Sequence, residues 1–248
     1  MRRKYGWKKD PYDPRDDHYS FPLLPTLPTE VTLDRYLFPV LDQGMEGSCV
    51  GFGTTAVINV ECAMENKETF LASPRWAYNG ARFVEGRLEE EGAYPRDAFR
   101  FMARNGILPN YAWPYLPNCD THTPPKLSLK TLTRPLYTYR RVSDGLRGIC
   151  SALARGKPVV LGTPWFEEWE DASPDGRLRA PSQDSHIVGG HCYFSYGYIG
   201  GTEFGRLLCQ NSWGTTWGKK GLFSVPMESV EIWKRTWGYD AYVIDIRW

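Results

Sequence analysis

The chain lacks any apolar run near the ~18 residues that a membrane-spanning helix needs. It also lacks the apolar stretch of a secretory leader, because Met1 leads into Arg, Lys, Trp and Asp. It has no charge bias: 30 Lys and Arg against 29 Asp and Glu leave a net +1, and its basic runs (Arg2-Arg3-Lys4, Lys219-Lys220) are short. That balance argues against nucleic acid or an anionic membrane surface as partner. Cysteine is sparse and irregularly spaced, at Cys49, Cys62, Cys119, Cys150, Cys192 and Cys209. With no C-x-x-C pair and no Cys/His set at zinc spacing, neither a metal nor another cofactor is expected. A cytoplasmic location with reduced thiols follows as an expectation; a viral or specialised-secretion origin stays open.

What is present is aromatic and globular. The 248 residues are 42% hydrophobic, with ten Trp and fifteen Tyr, enough for one large domain or two lobes around a cleft. Residues 1–40 are punctuated by Pro11, Pro14, Pro22, Pro25, Pro28 and Pro39, which blocks helix. They read as an extended arm wrapping the surface, anchored by Trp7 and the Phe21–Leu24 cluster, and a structural strap in preference to an inhibitory arm. Periodicity predicts helices over about 49–66, 75–85, 96–105 and 143–155. Ser73-Pro74 marks a helix start and Gly106 a helix end. Strands are expected at 136–139, 159–162, after His191, at 206–210 and at 221–226. Residues 165–179 read as an exposed acidic and aromatic loop near the cleft.

The stretch Gln43-Gly44-Met45-Glu46-Gly47-Ser48-Cys49 places a thiol where an apolar helix begins. A helix N-terminus carries unsatisfied N–H groups and partial positive charge. Both stabilise a thiolate and an oxyanion forming beside it. Cys49 is therefore the candidate nucleophile, and Gln43 a candidate second oxyanion donor. Far along the chain, Gly189-Gly190-His191-Cys192 opens a strand, and Asn211-Ser212-Trp213-Gly214-Thr215-Thr216-Trp217-Gly218 follows another. An imidazolium beside a thiol favours the thiolate and protonates a leaving amine; a neutral amide orients the ring. His191 and Asn211 fit those roles, with Trp213 shielding the Asn–His contact from water. His186 is assigned to a loop, and His18 and His122 to exposed, proline-rich surroundings.

These strings resemble the papain-like cysteine peptidases. Gln43, Gly44, Gly47, Ser48, Cys49 and Phe52 match Gln-Gly-x-Cys-Gly-Ser-Cys-Trp-Ala-Phe, and residues 211–218 match Asn-Ser-Trp-Gly-x-x-Trp-Gly. Glu46 stands where the family has a disulfide cysteine, and Val50 where it has tryptophan. His191 lies 142 positions after Cys49 and Asn211 a further 20; the handled range for papain and cathepsin sequences is ~130–150. The resemblance implies that Gly92 and Ala93 present backbone to an extended substrate. It also implies that Tyr94 and Pro95 wall an apolar pocket, with Cys192 helping to line it.

The expected fold is thus α+β and papain-like: a helical left lobe (about 41–120) and an antiparallel, β-barrel-like right lobe (about 130–248), with the cleft between them and the arm at 1–40 outside. The expected function is a cysteine-type endopeptidase that acts on polypeptide through an acyl-thioester. The competing expectation is a catalytically weak or inactive binding protein of the same fold, part of a larger assembly.

Overall fold

The computed structural model of the chain describes residues 3–19, 24–65, 70–116, 134–135, 138–182, 184–201 and 204–246. Phe21–Leu23, Cys119, His122 and most of the expected crossover between the lobes (117–133) lie outside them. Among the described residues, five α-helices and seven strands are ordered β1(Glu30–Thr32), α1(Cys49–Met64), α2(Pro74–Glu85), α3(Pro95–Asn105), β2(Thr138–Arg141), α4(Gly145–Ala154), β3(Val159–Phe166), β4(Ile187–Ile199), β5(Arg206–Gln210), β6(Leu222–Pro226), α5(Ser229–Arg235) and β7(Asp240–Asp245).

The first three helices form one lobe. Two cap signals act as expected: Ser73 Oγ accepts the Trp76 N–H at 3.1 Å with Pro74 at the first helical position, and Gly106 ends α3. Gly86, read only as the start of a loop, closes α2 at φ 71°. Helix α1 differs from the amphipathic expectation, because nearly all its residues from Cys49 to Cys62 are buried. It runs between the other two helices and the sheet, so both sides are covered. Thr54 and Thr55 survive there because their hydroxyls donate to the carbonyls of Val50 and Gly51, each at 2.7 Å.

The other lobe is an antiparallel, unclosed sheet in the order β2-β7-β3-β4-β5-β6, with β1 added to the far end of β4. Its longest strand, β4, carries His191 opposite Thr163 of β3. Residues 165 and 166, expected in an exposed loop, instead complete β3, and Trp165 is fully buried. Pro164 is tolerated because β3 pairs with β7 only over residues 160–162, so its missing N–H breaks no ladder bond there.

The arm is integrated rather than laid on the outside. Trp7 donates its indole N–H to Asp240 Oδ2 at 2.9 Å, and the Asp10 N–H donates to the same oxygen at 2.9 Å. Asp10 Oδ2 accepts from the Tyr242 hydroxyl at 2.9 Å and the Arg96 N–H at 3.3 Å. Two carboxylates thus meet without side-chain exposure, faced by Arg141 from β2, Arg96 from α3, Tyr242 from β7 and Asp16 from the arm. Burial, and then the Asp240 charge, raise the Asp10 carboxyl well above its ordinary value against the pull of Tyr242 and both arginines. A carboxyl that binds its proton more tightly when docked favours docking at low pH, and the advantage is lost as pH rises through the raised value. Hydrogen-exchange protection factors of amides 4–10 are expected to fall as pH rises above the usual carboxylate range, and Asp10→Asn to flatten that dependence. A pH-independent profile in the parent chain would remove the clamp's titration.

Candidate active site

Cys49 opens α1 and is completely buried. Backbone N–H groups of Cys192, Gly6, Val50 and Cys49 itself favour its thiolate. Helix α1 packs on β4, with Gly53 against Cys192, the strand neighbour of His191. Gln43 lies in the same wall, with no exposure. Its N–H donates to the Ser212 carbonyl at 2.9 Å, and its side-chain oxygen accepts from Ser212 Oγ at 2.7 Å. Its Nε2 donates to the Glu46 carbonyl at 2.9 Å and to the Lys4 carbonyl at 3.3 Å. The fold therefore brings Gln43, Cys49, His191 and Asn211 into one region, although they come from a loop, a helix, strand β4 and the residue just after β5.

The histidine's protonation follows from its neighbours. Asn211 Oδ1 accepts the Ser212 N–H at 2.8 Å, which fixes that atom as the carbonyl oxygen. His191 Nε2 lies 2.7 Å from the same oxygen and so carries the hydrogen. That leaves Nδ1 as the lone-pair nitrogen of the neutral ring, buried and without a partner among the described residues. Trp213 lies 4.6 Å and Trp165 4.8 Å from the ring, centroid to centroid. Trp213 was legible in the sequence; Trp165 was missed because Pro164 made its segment read as a loop.

The N-terminal arm fills the cleft. Ala93 donates its N–H to the Gly6 carbonyl at 2.8 Å and accepts the Lys8 N–H at 3.0 Å, while the Trp7 N–H donates to the Gly190 carbonyl at 2.9 Å. Ala93 thus pairs with an extended segment of the protein itself, whereas Gly92 (φ 81°) donates its N–H to the Tyr78 hydroxyl at 3.0 Å. Tyr94 is half-buried with Lys8 Nζ 5.7 Å from its ring centroid, and Pro95 is buried as the first residue of α3. Cys192 is buried against Gly53 of α1. Gly6 tolerates no side chain: a Cβ there would stand 1.8 Å from the Gly47 carbonyl oxygen. The expectation of a strap clear of the site is therefore replaced by a segment lying across it.

Enclosure sets the electrostatics. Burial outweighs the four N–H groups and pushes the Cys49 thiol up to about 11. Burial, assisted by Arg3, pushes His191 down to about 3 against the Asn211 hydrogen bond. Arg3 sits 4.5 Å over the Trp213 ring. With the arm in place, the pair is a neutral thiol and a neutral imidazole, not an ion pair. Only about one thiol in 10⁴ is ionised at pH 7 from such a value. Alkylation of Cys49 by iodoacetamide in the full chain is expected to be slow at pH 7 and to rise with a titration near 11. Gly6→Ala, which forces the arm away from Gly47, is expected to accelerate labelling at pH 7 by at least about tenfold. Equal rates in the two proteins would show that the arm does not control the thiol.

Comparison with known proteins bears on the family and the fold. The model of the papain family cysteine proteases matches residues 29–233. The chain is 27% identical over 81% of its length to an uncharacterized peptidase C1-like protein of Acanthamoeba polyphaga mimivirus, spanning 68% of that protein. It is 26% identical over 82% of its length to cysteine proteinase 3 of Entamoeba histolytica, spanning 64% of it. Among solved structures, xylellain, a cysteine protease from Xylella fastidiosa, superposes with a TM-score of 0.88 at 27% identity, covering 100% of this chain and 99% of that one. Procathepsin L 3 of Tenebrio molitor larval midgut shares the fold at a TM-score of 0.70 and 18% identity, covering 99% of this chain and 76% of that one. The chain belongs to the papain family of cysteine proteases, hydrolases that act on peptide bonds.

Proposed function

We propose that the protein is an endopeptidase working through a Cys49–His191–Asn211 triad, held latent when residues 4–8 lie in its cleft. The observation that carries the reading is the buried imidazole whose Nε2–H is fixed on Asn211 while Nδ1 is left as an unpartnered acceptor, on the strand residue next to Cys192, which packs against the helix that Cys49 opens. Departure of the arm admits water and substrate, which relieves the burial that neutralises both groups. Nδ1 then takes the thiol proton. The Cys49 thiolate attacks the peptide carbonyl, and the oxyanion is held by the Gln43 amide and the Cys49 N–H. His191 protonates the leaving amine, and an acyl-thioester forms. It next deprotonates a water that releases the acid. Trp213 and Trp165 keep solvent from the Asn211–His191 bond.

The arm itself supports a polypeptide substrate. An extended chain already contacts Gln43 through the Lys4 carbonyl and Gly190 through the Trp7 N–H. The cleft thus accommodates chain in both directions from the sulfur, as internal cleavage requires. Gly92 and Ala93 supply the backbone edge for it, and Tyr94, Pro95 and Cys192 are the side chains assigned to an adjoining pocket. No helix among the described residues is long and apolar enough to cross a membrane, and Cys49, Cys150, Cys192 and Cys209 are free thiols. Both agree with work in a reducing, cytoplasmic setting.

Peptide hydrolysis is expected in the parent chain, to increase when the arm is loosened by Gly6→Ala, and to fall by at least about 10³ in Cys49→Ala. Hydrolysis unchanged in Cys49→Ala, measured on a mixed peptide library, would remove the mechanism.

A further inference from the structure

The loop that brings Gln43 to Cys49 has Glu46 where the family has a disulfide cysteine, and the structure shows what Glu46 does instead. Its Oε1 pairs with the Arg75 guanidinium of α2 at 2.7 Å; the two side chains are 13% and 1% exposed. Its Oε2 accepts from the Tyr115 hydroxyl at 2.7 Å. The Tyr115 oxygen also lies 2.6 Å from the Gln43 carbonyl and 2.9 Å from Ser48 Oγ. The phenol proton is shared between the Gln43 and Glu46 acceptors, and Ser48 supplies its own proton to the phenol oxygen. The ring is fixed from both faces of the network: the Arg75 guanidinium stands 4.4 Å from its centroid, and Phe52 of α1 meets it edge-on at 4.6 Å.

These contacts converge on the residues that frame the nucleophile. Glu46 accepts the Gln43 side-chain amide on its backbone carbonyl while its carboxylate is anchored by Arg75 and Tyr115. Tyr115 grips the Gln43 peptide and Ser48, the residue that precedes the helix. Charge-assisted hydrogen bonds of this kind are short and directional, and oxyanion donors must be held to within about 0.5 Å to act. Resting on the peptidase reading above, we infer that Tyr115, supported by Glu46 and Arg75, is a positioning residue for the oxyanion hole, setting the Gln43 amide and the Cys49 N–H without touching substrate. The ionic network takes over the bracing that a disulfide would give, and it works without an oxidising compartment.

The test is Tyr115→Phe in the full chain, which keeps the ring on Arg75 and Phe52 and removes one hydroxyl. Loss of a whole oxyanion donor costs about 10²–10³ in kcat, so loosening both is expected to lower kcat by about ten- to a hundredfold. KM stays within about twofold, because the oxyanion exists only in the transition state. Affinity for a peptide aldehyde, whose hemithioacetal oxygen takes the oxyanion position, should weaken by the same factor as kcat/KM. A merely structural role would not move these two together. The value of kcat at saturating substrate is insensitive to how firmly the arm is docked. Glu46→Gln, which still offers an acceptor to Tyr115, should retain more activity than Glu46→Ala. Should Tyr115→Phe fail to fold, Ser48→Ala removes the opposite end of the same contact and is expected to show the same kcat and aldehyde losses. An active parent chain with kcat and aldehyde affinity unchanged in Tyr115→Phe, or in Ser48→Ala where that variant stands in, overturns the positioning role alone. A parent chain that neither turns over nor binds the aldehyde overturns the peptidase reading and this inference with it.

Discussion

The close approach of α1 to β4 is the constraint on which the site depends. A Cβ at Gly53 would stand 2.8 Å from Cys192 Sγ, so the helix can lie against the strand only because that position is bare. Gly53 is one helical turn beyond Cys49, and Cys192 is the strand neighbour of His191. The packing that buries Cys192 is therefore the packing that sets the helix opened by Cys49 against the strand that carries His191. Interiors this dense transmit small displacements without absorbing them. A shift of helix on sheet would move Cys49 relative to His191.

Close packing also explains the charge state. Thiol and imidazole are each driven neutral chiefly by burial. The same dry surroundings would strengthen an ion pair once one formed. In the proposed mechanism the site changes solvent access more than contacts, and residues 4–8 are the segment that sets that access.

The chemistry of the site was far more legible in the sequence than its covering. Gln43, Cys49, His191 and Asn211 stand out because the roles proposed for them need particular side chains in fixed local strings. The helices were readable from period and caps, as Ser73, Pro74 and Gly106 illustrate. The arm's contacts at the site run mostly through backbone atoms of Lys4, Gly6, Trp7 and Lys8, which leave almost no mark in residue choice. Strand β7 went unread although Ala241-Tyr242-Val243-Ile244 is a short apolar run of the kind a buried strand shows. Its partners lie at 138–141 and 160–162, and nothing local announces so distant a pairing. The meaning of Glu46 was equally hidden, because its two side-chain partners come from α2 and from the segment after Pro114.

One consequence concerns any molecule that enters this cleft from solution. A tethered segment behaves as a ligand present at an effective concentration on the order of millimolar, whatever the protein's dilution. Each external binder must displace it, so measured affinities fall below intrinsic ones by a common factor. The ranking of binders is preserved while every absolute value is displaced, and dilution of the protein does nothing to restore them.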